Sequence, residues 1–213
     1  MNYLDACKPL LAHVAHLSLI AANPRSLPEP AHAARDIGQL ILRAKTGLHD
    51  CDDESKRLIG FAVNAWLAEK LALLPCGREA APLLDPLPAD AGALFFHHLH
   101  TLLLPDAGRG YSRHRIGVLE VYAACLETGF VGCYADKDDR TNLELYRERC
   151  RQLLSQVYVE TTGATQANRD ETDAHADSRA GTAAMWLFPI VLTVFLYTVY
   201  RTVLGQLFRS VVG

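Results

Sequence analysis

The chain has 213 residues, half of them hydrophobic, which predicts one domain with its own core plus an appendage. Aromatic residues make up only 8% of the chain while leucine and alanine are abundant, and this favours helices. A formal charge of −3 argues against a nucleic-acid-binding protein, because such proteins present a basic face.

The six cysteines are scattered along the chain, and none belongs to a Cys-x-x-Cys pair. In a chain of this size, such cysteines are typical of reduced thiols in a cytoplasmic domain, and a disulfide framework is the less favoured alternative. They are Cys7, Cys51, Cys76, Cys125, Cys133 and Cys150.

The N-terminal apolar stretch predicts an amphipathic helix from Asn2 to about Ala22. His13 and His16 interrupt the stretch, and only one lysine precedes it. Both features argue against a signal peptide.

Five further helices are predicted from apolar residues at helical spacing and from start and stop residues. Pro30 suits a first helical turn, and Asp90 is placed to cap a helix. Thr141 and Glu144 have the spacing of a capping box. No stretch alternates like a half-buried strand, so the fold class is all-α. The helices span 30–46, 54–74, 91–104, 113–128 and 141–159.

The stretch "LEVYAACLETGFVGCY", residues 119–134, predicts a tight corner after a helix. Gly129 stands just past the helix, where a left-handed residue closes it at little cost. Phe130 is then placed to fold back onto the helix, and Gly132 permits a second bend. Cys133 has no base in the motif to activate it, so packing is favoured over nucleophilic chemistry.

Residues 182–200 form an uncharged run of 19 residues. As a helix the run would span about 28 Å, close to the hydrocarbon thickness of a bilayer. We therefore predict a cytoplasmic domain, a polar flexible linker, a transmembrane anchor with an interfacial extension, and a short tail. Their bounds are 1–159, 160–181, 182–208 and 209–213.

The arginines that flank this run are nearly balanced, so charge alone does not orient it. A cysteine-bearing domain without a convincing signal peptide is most simply left in the cytoplasm. The expected topology is a tail-anchored protein of the bacterial inner membrane, with a periplasmic tail.

His97, His98 and His100 form the clearest alternative site. Two histidines three residues apart share a helix face and sometimes bind a metal. No cysteine or acid lies at matching spacing, so a polar helix face is favoured. A tail-anchored metal-binding protein or enzyme that uses this run remains the second functional hypothesis.

The corner resembles a signature of the DotU/TssL (IcmH-like) family, whose members are inner-membrane subunits of type VI and type IVB secretion systems. Weaker resemblances lie in Gly92, Phe95 and Phe96 of "GALFFHHLHTLL", and in Ala62 and Glu69 of "FAVNAWLAEKLAL". The matching corner residues are Leu119, Glu120, Tyr122, Cys125, Leu126, Gly129, Phe130, Gly132 and Tyr134.

The chain also departs from the family pattern. Ala68 stands before Glu69 where the family usually has an Asp-Glu pair, and Phe61 stands where tyrosine is preferred. The peptidoglycan-binding extension of some members is not expected here. The missing aspartate affects the partner contact that the resemblance implies for Glu69, but not the fold.

The resemblance implies a non-enzymatic scaffold without a cofactor, built as two small helical bundles with a cleft between them. It implies a homodimer or homo-oligomer in the lipid bilayer. It also implies a large inner-membrane partner (TssM/IcmF-like) and contact with cytoplasmic baseplate subunits. No nucleic-acid partner is expected.

Overall fold

Apolar residues at helical spacing give the chain seven α-helices in the part that we describe from a computed structural model. This part comprises residues 3–23, 27–105, 111–135 and 140–170, with side chains as far as Val159. It contains no β-strand. The helices are α1 (Tyr3–Ile20), α2 (Pro30–Gly47), α3 (Asp53–Leu71), α4 (Gly77–Ala80), α5 (Ala91–Leu103), α6 (Arg113–Glu127) and α7 (Thr141–Asp170).

Helix α3 lies at the centre of the described helices and packs against α1, α5 and α6. One continuous hydrophobic core joins residues from α1 to α7. Its largest fully buried side chains include Trp66 of α3, Phe95 of α5, Tyr122 of α6 and Phe130 of the corner. Aromatic burial is therefore concentrated where α5 and α6 meet α3.

The predicted helix starts are confirmed to within about two residues, because start residues act locally. At the start of α3, Asp52 accepts a 2.9 Å hydrogen bond from the Ser55 backbone N–H. The predicted role of Asp90 is wrong in one respect, since it stands at the cap position of α5 but makes no side-chain cap bond. Thr141 is the first residue of α7, and Glu144 pairs with Arg147 at 2.5 Å.

Two helix ends differ from the prediction by three residues or more, and the others agree to within two. Helix α3 ends at Leu71, not at residue 74, because the next turn tightens into bonds from Leu73 N–H to the Lys70 carbonyl and from Leu74 N–H to the Leu71 carbonyl. Helix α7 continues to Asp170, into the segment predicted as linker.

The proline-rich connection 75–90 contains the short helix α4, which the prediction lacks, and a 3-10 turn at Ala81–Leu83. Gly77 is buried against the end of α3, where a Cβ atom would lie 2.0 Å from the Leu71 carbonyl oxygen. Only glycine fits this approach without movement of the backbone, so α4 depends on a contact that local sequence does not display.

Within the described residues, segment 113–134 is long and apolar enough to cross a membrane, by length and composition alone. Half of its most apolar window is buried inside the fold, as expected of a core helix. It comprises α6 and the corner. The predicted anchor 182–208 and tail 209–213 lie outside the described residues.

Candidate interaction site around the corner after α6

The corner, residues 128–134, begins as a Schellman motif at the end of α6. Gly129 has a φ of 91°, which confirms its predicted left-handed conformation. Its N–H donates to the Leu126 carbonyl at 3.0 Å, and the Phe130 N–H donates to the Cys125 carbonyl at 3.0 Å. These two bonds satisfy carbonyls that the end of α6 would otherwise leave free.

A second bend follows at Gly132, whose φ is 55°, as the sequence predicts. The start of α5 approaches this bend so closely that a Cβ atom on Gly92 would lie 2.9 Å from the Cys133 nitrogen. A Cβ atom on Gly132 would lie 2.9 Å from the Phe130 ring. The two motif glycines therefore permit backbone to pack on backbone between α5 and the corner.

The motif aromatics form one cluster beneath this contact. Phe130 is buried, and its ring centroid lies 4.3 Å from that of Phe95 and 6.1 Å from that of Phe96. Phe95 contacts Tyr122 at 4.6 Å, and Phe96 contacts Tyr134 edge-on at 4.8 Å. Ring pairs at these distances stabilise a fold beyond the area that they bury.

Two adjacent side chains of α3 bind the corner from the other side, and we call Glu69 and Lys70 the α3 clamp. The Glu69 carboxylate accepts hydrogen bonds from the Val131 N–H at 3.1 Å and the Gly132 N–H at 2.7 Å. Lys70 Nζ donates to the Gly129 carbonyl at 2.6 Å. Charged side chains thus satisfy both N–H groups and a carbonyl group of the corner backbone.

The α3 clamp is largely shielded from solvent, with side chains 24% exposed for Glu69 and 12% for Lys70. Lys70 Nζ lies 3.6 Å from the Glu69 carboxylate, so the two charges also compensate each other. Charge-assisted bonds of this kind are stronger than neutral ones. Lys70 belongs to no motif. A lysine beside a glutamate in the otherwise apolar second half of α3 is the only sequence signal that indicates it.

The remaining residues of the corner motif are either buried or make a hydrogen bond within the fold. Leu119, Cys125 and Leu126 are fully buried, and burial raises the pKa of the Cys125 thiol. Cys133 is exposed. Glu120 accepts a hydrogen bond from the Tyr158 hydroxyl, which raises the pKa of Tyr158 to about 12.

Helix α5 places the three histidines of the run on different sides. His97 and His100 are exposed on α5, while His98 points inward, its Nδ1 3.4 Å from the Tyr122 hydroxyl and its ring 5.0 Å from Phe61. Burial, with a contribution from the charge of Arg57, lowers the pKa of His98. Within the described part of the chain, no group of three or more histidine, cysteine or acidic side chains is placed to hold a metal.

Two open grooves lie along α3. The first, of about 500 Å³, is bordered by Ala68 of α3, by Ala72 directly after that helix, by α4, and by Leu84. The second, of about 430 Å³, has Gly60, Phe61 and Asn64 of α3 as its floor and is bordered by 85–87. Ala68, the position that departs from the family pattern, therefore lines a concave surface.

Comparisons with known proteins identify the family of the chain. The family model described as "Type VI secretion system protein DotU" matches residues 2–203. The chain belongs to the DotU family. It is a type VI secretion membrane subunit, and the family is a structural component of the system that is not known as an enzyme family.

The DotU chain is also similar to the solved cytoplasmic domain of TssL from Acinetobacter baumannii. The match has 23% identity and a TM-score of 0.54, and it covers 73% of this chain and 98% of that one. At this identity the likeness shows a shared helical fold. A search of curated protein sequences finds no significant match.

We predict that Gly129→Val destabilises the domain by about 1–3 kcal/mol, because a β-branched residue is strained at a left-handed position. Its Cβ would also lie 3.1 Å from Lys70 Nζ. Gly60→Ala is the matched control, since Gly60 lies in α3 with nothing within 4 Å of its added Cβ. It should be stabilising by about 0.5–1 kcal/mol. Thermal unfolding of the purified chain measures both, and an unchanged melting temperature for Gly129→Val would contradict the prediction.

We predict that Glu69→Gln destabilises the domain by about 1–3 kcal/mol, because an amide oxygen replaces a carboxylate that serves two backbone donors. Glu79→Gln is the control, since Glu79 is an exposed acid of α4. Denaturant unfolding followed by circular dichroism gives the difference. Equal midpoints for the two variants would show that the clamp does not support the corner.

Proposed function

We propose that this DotU chain is a structural scaffold that joins the inner-membrane complex of a type VI secretion system to its cytoplasmic baseplate. The observation that carries the proposal is the family match over residues 2–203, joined to a corner whose motif glycines and aromatic residues have turn or packing positions. A scaffold needs a surface of fixed shape, and the corner fixes α5, α6 and α3 against one another.

The proposed arrangement has four parts. Residues 1–159 form the cytoplasmic domain, and 160–181 join it to the membrane. Residues 182–208 form the anchor with its interfacial extension, and 209–213 a short periplasmic tail. A protein held at the membrane meets its membrane-bound partners at a raised effective concentration.

For partners, we propose a large inner-membrane subunit (TssM/IcmF-like), baseplate subunits and further copies of this chain. The grooves on α3 are our candidate for the cleft between two bundles. Ala68 lines one of them, and the side chain of Glu69, the next residue, is 24% exposed. Docking at Glu69 stays a prediction, and it now has to be compatible with the bonds that Glu69 makes to the corner.

The second functional hypothesis, a metal-binding protein or enzyme at the histidine run, gains no support from the described residues. His98 is engaged with Tyr122 and Phe61, while its neighbours His97 and His100 are exposed.

We predict the membrane topology given above, and labelling of intact cells with an impermeant thiol reagent tests it. Ser210→Cys should label because the tail faces the periplasm, whereas Ser178→Cys should label only after the cells are broken. The parent chain is the control, since its exposed Cys133 should also label only in broken cells. Labelling of Ser178→Cys but not of Ser210→Cys in intact cells would show the reverse orientation.

We predict that the anchor contributes to assembly. In cells that lack the native gene, the full chain should restore foci of a fluorescent baseplate subunit, and residues 1–159 alone should not. Self-association measured by cross-linking should weaken in the same fragment.

A hybrid with an unrelated single span in place of 182–208 separates membrane attachment from any contribution of the anchor's own sequence to assembly. Foci and self-association at native levels in the hybrid would show that the anchor is only a tether. Full restoration by residues 1–159 alone would contradict the scaffold proposal in its membrane-bound form.

A further inference from the structure

A short segment of the proline-rich connection lies across α3 between the two grooves, and we call residues 84–87 the strap. Leu84 borders the first groove together with Ala68, and the rest of the strap borders the second together with Asn64. Asn64 and Ala68 are one helical turn apart, so the strap crosses α3 at this turn.

The strap is attached to the helices through one carboxylate. Asp85 accepts a 3.0 Å hydrogen bond from Nδ2 of the buried Asn64, and bonds of 3.1 and 3.2 Å from Nζ of Lys45 on α2. These bonds lower the pKa of Asp85, with the Asn64 amide as the larger cause. Pro86 within the strap and Pro88 after it have no N–H to add further backbone bonds.

The rest of the strap is only partly buried, with Leu84 packed against the core. Leu84 and Leu87 are half-buried, and Asp85 and Pro86 are exposed. The ion pair between Lys45 and Asp85 has side chains that are 57% and 58% exposed, and exposed pairs of this kind contribute little. The bond from the Asn64 amide is therefore the main polar attachment.

The face beneath the strap is continuous. Gly60, Asn64, Ala68 and Ala72 follow one another at every fourth position, and so lie along one side of α3 for about 18 Å. With the strap in place the face is divided into two grooves. If the strap moved away from α3, the two grooves would join into one that runs from the end of α2 to α4.

We propose that the strap is a releasable cover on the docking face of α3 and that Asp85 is the latch that holds it. The inference rests on the proposed function for the importance of that face, because it describes how access to the docking site is controlled. The partner that we propose offers a cation to Asp85, whose side chain is 58% exposed, and so competes with Lys45 for that carboxylate. Docking and opening would then be coupled.

The test is the rate at which a thiol on the strap reacts in the purified full chain, with no partner present. Leu84→Cys places this strap thiol at a half-buried position. Adding Asp85→Asn should raise its labelling rate about tenfold, since one charge-assisted bond is weakened. Lys45→Met should raise the rate less, because the bond from Asn64 remains.

Site-resolved mass spectrometry separates strap opening from unfolding. The buried Cys7 of α1 reports global opening and should react at the same slow rate in every variant. Asp50→Asn is the matched control, since Asp50 is 79% exposed and pairs only with the neighbouring His49 among the ion pairs of the described residues. It should leave the labelling rate of the strap thiol unchanged.

Two results would overturn the proposal. One is an equal labelling rate of the strap thiol with and without Asp85→Asn. The other is a parallel rise at the strap thiol and at Cys7, which would mean that Asp85 stabilises the whole domain and not the strap. No partner takes part in this experiment, so neither result depends on the scaffold function. The foci of the fluorescent baseplate subunit test that function separately.

Discussion

The fold of this DotU chain depends on two neighbouring charges that bind one piece of backbone. Glu69 accepts N–H groups of the corner, and Lys70 donates to its carbonyl, so a segment with two left-handed glycines is held against α3. Without these bonds, the polar backbone of the corner would be partly buried and unsatisfied. The aromatic cluster under the corner needs this placement, because Phe130 enters the core directly from it.

The same arrangement gives the family motif a physical meaning. Gly92 and Gly132 allow two backbones to approach, and Phe95, Phe96 and Tyr122 fill the space below. None of these residues needs a chemical role to account for its identity. A motif whose residues hold three helices together suits a structural component of a secretion system.

The positions of the helices and the two bends could be predicted because they depend on residues close in sequence. Pro30, Asp52 and Gly129 act within one turn of where they stand. The roles of Glu69 and Lys70 could not be predicted, since their partners lie about sixty residues away along the chain. The same applies to α4, and to the attachment of Asp85 to Asn64, because contacts across the fold have no local pattern.

The open space above Gly60 bears on how the grooved face of α3 can evolve. A glycine inside a helix lowers stability by about 1 kcal/mol relative to alanine, yet no neighbour lies within 4 Å to exclude a side chain here. A helix-forming residue at this position would therefore change the groove without displacing a neighbour at its Cβ. The shape of the groove can therefore vary at this position at little cost to the stability of the domain.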